Sequence, residues 1–282
     1  MPALATCTPE TLGALPCYRV CLPQGDHLLV AAHGGQVLQW HAAGRDRLFL
    51  SPNSMLDGQA PVRGGVPVCW PQFNQRGTLP KHGFVRTLPW QQVSFQGTET
   101  QAELVLALHD STATRAHWPH AFELRLVLCL TPGQLRMTLQ AHNTGAQAWA
   151  FTGALHTYLA VQNITQTALT GLHGQPEWDA VLNTHQTATA TQTFAGEFDR
   201  VYAAPSGTLH LQDGPYALRI EHSPEWANVV VWNPGADKCA ALPDMPAHGE
   251  CRMLCVEAAQ VFHPVQVAPG ARWQGWQQLT VA

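Results

Sequence analysis

Charge is scarce in this chain. Only 12% of its 282 residues are Asp, Glu, Lys or Arg, against roughly 25% in an ordinary soluble domain. Between Met137 and Pro176 there is no charged residue at all. Acidic residues outnumber basic ones, nineteen to fifteen, leaving a net charge of −4. That balance offers no broad basic surface to nucleic acid or to an anionic membrane, and an anionic ligand would need a local basic site. Long apolar runs are missing as well. The uncharged stretch is interrupted by Gln140, His142, Asn143, Gln147, His156, Gln162 and Asn163, too often for a membrane span. The first basic residue is Arg19, so no secretory signal is expected.

Paired cysteines are lacking too. The eight lie at 7, 17, 21, 69, 129, 239, 251 and 255, with no CxxC among them. Zinc-site spacing is therefore absent, and a chain of this length needs no dense disulfide framework. Cys129, in the apolar run LRLVLCL, reads as a buried thiol. No HxH pair with a following Glu, HExxH helix, GxSxG elbow or Walker loop occurs, so neither a metal nor an organic cofactor is expected. The setting implied is a soluble, monomeric protein in a reducing cytoplasm.

Apolar material is plentiful. Hydrophobic residues make up 45% of the chain, with ten Trp and nine Phe, enough for a large aromatic core. The pattern is short and alternating: HLLVAAHGG, QVLQWHAAGRDRLFL, QQVSFQ, AELVLALH, FELRLVLCL and LRMTLQAHN, each bounded by turn residues. Strands about ten residues apart with turns between them predict an antiparallel sandwich or barrel. LHLQDGPYALRIEH predicts a hairpin at Asp213-Gly214, ANVVVWNPG a buried strand, and VQVAPGARWQGWQQLTVA a closing hairpin. Residues 183 to 194 read as an exposed edge or loop. No long helical period, repeat or linker stands out, so 1–282 is expected to be one all-β domain.

One stretch breaks the regularity. Val62 to Trp90, VRGGVPVCWPQFNQRGTLPKHGFVRTLPW, is too rich in Gly and Pro for a helix or central strand. Its Trp70, Phe73, Phe84 and Trp90 argue against disorder. An ordered loop presenting Arg63, Gln72, Lys81, His82 and Arg86 beside aromatic walls is the chemistry of a pocket for a polar, anionic small molecule. Two further segments belong with it. In AWAFTGALHTYLAV, Trp149, Phe151, Leu155 and Leu159 share one face. The other face is small apart from His156 and Tyr158, leaving room for a ligand over the sheet. In CRMLCVE, Cys251, Met253, Cys255 and Glu257 alternate onto one face, and apolar neighbours predict a raised carboxyl pKa for Glu257.

RGGVPVCWPQF followed by HGFVR resembles the hexose-6-phosphate mutarotases, relatives of aldose 1-epimerase. ALHTY at 154–158, EFDRVY at 197–202, VVWNP at 230–234 and MLCVE at 253–257 resemble the same family in the same order. The resemblance implies a large antiparallel β-sandwich of the galactose-mutarotase type. It also implies interconversion of α and β hexose 6-phosphates by acid–base ring opening. It assigns the general acid to His156 and the general base to Glu257, whose charge would keep His156 protonated. His82 and Asp199 would bind the sugar, and Arg63 and Arg86 the phosphate. Gly235 after Asn233-Pro234, and Lys81 before His82, depart from the family's usual Trp and small residue. An aldose 1-epimerase acting on free sugars, or a carbohydrate-binding protein without catalysis, would share much of this pattern. A non-catalytic binder, however, has no use for a desolvated Glu facing a His.

Overall fold

In the strand Phe122–Thr131, buried and half-exposed residues alternate without a break, and in Gln134–Asn143 they do so in the opposite phase. Their register sets Leu130 against Leu135, Leu128 against Met137 and Leu126 against Leu139. A strand whose inward side chains are all apolar must bury one face, and its polar face stays wet. Cys129 falls on the outer face between buried Leu128 and Leu130, so it is half-buried rather than in the core. All eight cysteines are free thiols.

The computed structural model describes residues 2–282. Three antiparallel sheets are present. The first is a five-stranded meander, from Thr6–Leu12 to Arg45–Asp46. The second has nine strands, with Arg272–Val281 and Gln134–Asn143 side by side near its middle. The third has eight strands, with Met253–Val267 between Asn228–Asn233 and Trp149–Leu155. Side chains from all three sheets meet in one core cluster, among them Leu28 and Trp40, Leu124 and Leu126, and Phe151 and Val256. The fold is the all-β sandwich that the alternation predicts. Two short helices, Thr112–His117 and Gly235–Ala240, interrupt it. No helix among the described residues is long and apolar enough to cross a membrane.

The Asp213-Gly214 hairpin forms as expected, pairing Leu209–Asp213 with Tyr216–His222. The closing hairpin does not. Met253–Val267 pairs within the eight-stranded sheet, whereas Arg272–Val281 pairs with Gln134–Asn143 and Tyr216–His222 in the nine-stranded one. The turn between them therefore passes from one sheet to the other, which local alternation cannot distinguish from a hairpin. Residues 183 to 194 supply short strands, Thr184–Thr187 and Thr191–Thr193, at the edges of two different sheets.

The long loop is pinned by Trp70, which is fully buried. Its ring centroid lies 4.8 Å from that of Phe122, 4.9 Å from Trp118, 5.8 Å from Trp149 and 5.9 Å from Phe151. Offset and edge-on aromatic pairs of this kind each contribute about 0.5–1.5 kcal/mol beyond their burial. Next to it, Gly83 has φ +71°, and a Cβ there would sit 2.0 Å from the Trp70 carbonyl oxygen. Only glycine allows the chain to pass Trp70 so closely. Gly83→Ala should therefore cost at least about 1–3 kcal/mol of stability. Gly133→Ala has a similar φ of +68° but its nearest neighbour is 3.7 Å away, so it should cost less. Urea unfolding of the two variants checks this; equal losses would mean that the approach to Trp70 is not tight.

Candidate active site

The pinned loop closes over the middle of the eight-stranded sheet and leaves a cleft. Of the strand Met253–Val267, everything as far as Val261 is buried, so both faces are covered there. Leu254, Val256 and Ala258 enter the main core. Glu257 points the other way, to the cleft floor, and is 1% exposed. Trp149–Leu155 ends beside it, and the backbone N–H groups of His156 and Tyr158 donate to the carbonyls of Pro67 and Gly65 in the loop. These bonds tie the break that carries His156, between the strands Trp149–Leu155 and Tyr158–Ala160, to the loop that carries Arg63, Lys81, His82 and Arg86. Cys251 lies in a single turn of 3-10 helix ahead of the strand, so only Met253 and Cys255 precede Glu257 on its face.

His156 and Glu257 face each other, with 3.4 Å between Nδ1 and a carboxylate oxygen. The His156 ring stacks on Tyr158 at 4.8 Å and meets the His82 ring edge-on at 5.4 Å. His156 Nδ1 and Glu257 Oε2 are buried without a hydrogen-bond partner. A buried polar atom left unpaired is costly, and it marks where a ligand's polar group would be stabilised. Burial pushes the Glu257 carboxyl well up, helped by nearby Asp199. Burial pushes the His156 imidazole well down, with His82, Arg63 and Arg86 adding to it. The expected imidazolium is thus disfavoured: desolvation and neighbouring cations outweigh the attraction of Glu257. Two facing groups, each driven toward neutrality, hold one proton between them.

His82 has left-handed backbone, φ +65°, and its Nδ1 accepts a hydrogen bond from the Asn74 backbone N–H at 3.3 Å. Nδ1 is thereby an acceptor, so the ring proton sits on Nε2 and His82 is a neutral donor. Burial, with Arg86, Lys81 and Arg63 nearby, pushes its pKa down to about 3. Asp199 lines the cleft, and burial raises its pKa. Its neighbour Arg200 turns away to Glu177 and Asp179.

The cleft has two lobes that share Arg63, Lys81, His82 and His156. One, about 400 Å³, adds Arg86, Tyr158 and Asp244. The other, about 280 Å³, adds Asp199, Trp232 and Glu257. Seven of the eight residues singled out from the sequence, Arg63, Lys81, His82, Arg86, His156, Asp199 and Glu257, therefore line one continuous cavity. Gln72 does not. Its amide spans the loop beneath, donating to the carbonyls of Asn74 and Leu79 and accepting from the Leu79 N–H. Arg63 is partly committed: Nε and Nη2 donate to Asp244 at 3.0 and 3.1 Å, and Nη1 to the Tyr158 hydroxyl at 3.1 Å. Asp244 lies 181 residues away in sequence and carries no motif, so only the fold reveals it. Tyr158 does sit in ALHTY, and its place on the His156 face was the available signal.

A hollow on the outer face of the nine-stranded sheet also holds a His–Glu pair, His142 and Glu123. There, burial pushes Glu123 up, but hydrogen bonds from Arg125 and His142 outweigh it and leave the carboxyl below its ordinary range. That pair is a neutralised surface cluster, unlike the dry floor of the cleft.

Comparison with known proteins identifies the fold and the family. A Salmonella typhimurium crystal structure, provisionally described as a mutarotase, superposes with a TM-score of 0.91 at 31% identity, covering 98% of this chain and 93% of that one. A Synechocystis structure at 23% identity shares the fold, with a TM-score of 0.81 over 98% of this chain and 97% of its own. The class is that of the mutarotase-type β-sandwich isomerases. The chain belongs to the aldose 1-epimerase family, whose profile matches residues 16–280. An Escherichia coli relative is 35% identical over 237 residues, 81% of this chain and 78% of its own. One from Cenchrus ciliaris is 33% identical over 258 residues, 86% and 78% respectively. Both carry the provisional name glucose-6-phosphate 1-epimerase.

The low pKa of His82 has a consequence for stability. An unfolded His takes up a proton near pH 6.5, whereas folded His82 does so only at about 3. Between those values the unfolded chain binds the extra proton, so stability falls as pH falls through that window. The contribution is fully present above about pH 6.5 and is lost at up to about 1.4 kcal/mol per pH unit. His82→Asn should flatten the dependence of unfolding free energy on pH between about 6 and 4. Urea titrations at several pH values measure the slope; identical slopes in parent and variant would contradict the neutral assignment.

Proposed function

We propose that the protein interconverts the α and β anomers of a hexose 6-phosphate, glucose 6-phosphate first among them, with His156 and Glu257 as the acid–base pair. The observation that carries this is their 3.4 Å juxtaposition in a dry floor of a cleft that Arg63, Lys81 and Arg86 also line. The names of the relatives point to the same sugar phosphate. Residues 1–282 act in this reading as one domain, since a single core cluster runs from Ala5 to Leu279.

The reaction moves two protons. Glu257 takes the proton of the anomeric hydroxyl while His156 delivers one to the ring oxygen, and the bond from C1 to the ring oxygen breaks. Rotation about C1–C2 turns the aldehyde over. The hydroxyl then attacks the opposite carbonyl face, returning its proton to His156 as Glu257 re-protonates O1. The pair starts and ends with the same single proton, and microscopic reversibility lets either anomer enter. Ligand hydroxyls satisfy the lone Glu257 oxygen, and Glu257 then favours the proton on His156. His82 donates its Nε2–H to a sugar oxygen, and Asp199 accepts from a sugar hydroxyl.

Phosphate falls to the other lobe. Burial, together with Lys238, Arg63 and Arg86, pushes the Lys81 pKa down, and a bound anion would offset that repulsion. Arg86 makes one hydrogen bond, to the Lys81 carbonyl, and keeps its other donors for a ligand. Three donor positions of Arg63 are taken by Asp244 and Tyr158, and that favours a second reading, an aldose 1-epimerase for free sugars. Charge-assisted bonds contribute about 1.5–3 kcal/mol each, so two would favour the phosphorylated sugar by a few hundred-fold or more.

Polarimetry on freshly dissolved α-anomers separates these points. Glu257→Gln and His156→Asn should lower kcat roughly 100-fold or more with KM little changed. Parental rates in either would remove the acid–base assignment. Arg86→Ala should lower kcat/KM for glucose 6-phosphate while leaving glucose unaffected. Equal efficiency on both sugars in the parent protein would favour the second reading.

A further inference from the structure

The spacing of His156 and Glu257 suits more than a proton. Their 3.4 Å separation comes without hydrogen-bond geometry, and His156 Nδ1 and Glu257 Oε2 both lack partners. Two ligands about 2.0–2.1 Å from a tetrahedral zinc stand about 3.4 Å apart. Cys255 lies two residues before Glu257 on the same face of the strand, and its Sγ, His156 Nδ1 and a Glu257 oxygen all lie within 4.8 Å of one another. Bringing the sulfur to about 3.6 Å from the other two, as a tetrahedral site requires, takes a shift of about 1 Å. No other such trio of His, Cys, Asp or Glu occurs among the described residues.

We propose that the cleft floor is a binding site for a thiophilic divalent cation of the zinc class, held by His156, Cys255 and Glu257 and open to the cleft in its fourth position. Imidazole, thiolate and carboxylate together select zinc over magnesium or calcium, which take oxygen ligands. Binding replaces the thiol proton of Cys255 by the metal and releases that proton to solvent, with no change of oxidation state. Resting on the acid–base reading above, occupancy switches the enzyme off, because both proton-transferring groups become ligands. Cys255 itself reaches neither lobe of the cleft and packs with Met253 and Tyr158, so it touches no sugar bound there.

The test adds zinc chloride, cobalt chloride or magnesium chloride to the full chain. Binding is followed by calorimetry and by the sulfur-to-cobalt charge-transfer band, and turnover by anomer exchange. Zinc should bind one per chain and lower turnover at least about tenfold, EDTA should restore it, and magnesium should do nothing. Cys255→Ala should keep parental turnover and lose at least about tenfold in zinc affinity and inhibition, with no charge-transfer band. Cys255→Ser provides a second variant should the alanine cavity impair folding. Residual weak binding by exposed histidines would survive both changes, whereas the one-per-chain site would not. Zinc binding unaltered in both variants, or no stoichiometric binding in the parent, overturns the site. Cys255-dependent binding with undiminished turnover supports the site and contradicts the catalytic reading of its ligands.

Discussion

A carboxylate kept dry opposite an imidazole is the constraint on which this structure depends. Glu257 is 1% exposed, and ionising a group so placed is expensive, so its carboxyl is driven toward the neutral form. The fold keeps it dry by making its strand central, with Asn228–Asn233 on one side and Trp149–Leu155 on the other. It also places the loop of residues 62–90 over the top. That loop holds its place because Trp70 is packed among four aromatic rings of the core and Gly83 passes against its carbonyl. Rigidity at the floor thus begins with aromatic packing some distance from the chemistry.

Charge is distributed along the cleft with the same economy seen in the composition. Arg63, fixed by Asp244 and Tyr158, and Lys81 border both lobes, with Arg86 on one and Lys238 on the other. His156 likewise borders both lobes, and Glu257 lies on the floor of one. His82 stands among them as a neutral donor, its tautomer set by a backbone N–H. A protonated His82 would have repelled a proton from His156 and competed for the anion. In the proposed reading, keeping it neutral lets it donate to the sugar without adding charge to either lobe.

Much of this could be read from the sequence, for physical reasons that differ by element. The Phe122–Thr131 and Gln134–Asn143 strands were legible because one face of each is wet, so alternation survives. Seven cleft residues were legible because Gly, Pro and aromatic residues crowd around them in an ordered loop, or because they lie in segments with a family resemblance. Gln72 sat in the same loop yet serves its backbone, and nothing in its neighbourhood distinguishes a strut from a ligand-facing amide. The partner of Arg63 was illegible because Asp244 is distant in sequence. The passage of the last turn from one sheet to the other was hidden because turn residues look alike in both cases. The protonation of His156 was misread because burial and three nearby cationic or imidazole groups are properties of the fold, not of ALHTY.

The central claim is that the buried pair exchanges the anomers of a phosphorylated hexose. Two-dimensional exchange NMR on equilibrated glucose 6-phosphate reads this directly, because the anomeric protons of the two forms are resolved and cross-peaks report their interconversion. The account predicts strong α–β exchange peaks with catalytic amounts of the protein and much weaker ones for equimolar glucose in the same tube. Exchange peaks no stronger than in buffer alone, for both sugars, would contradict it.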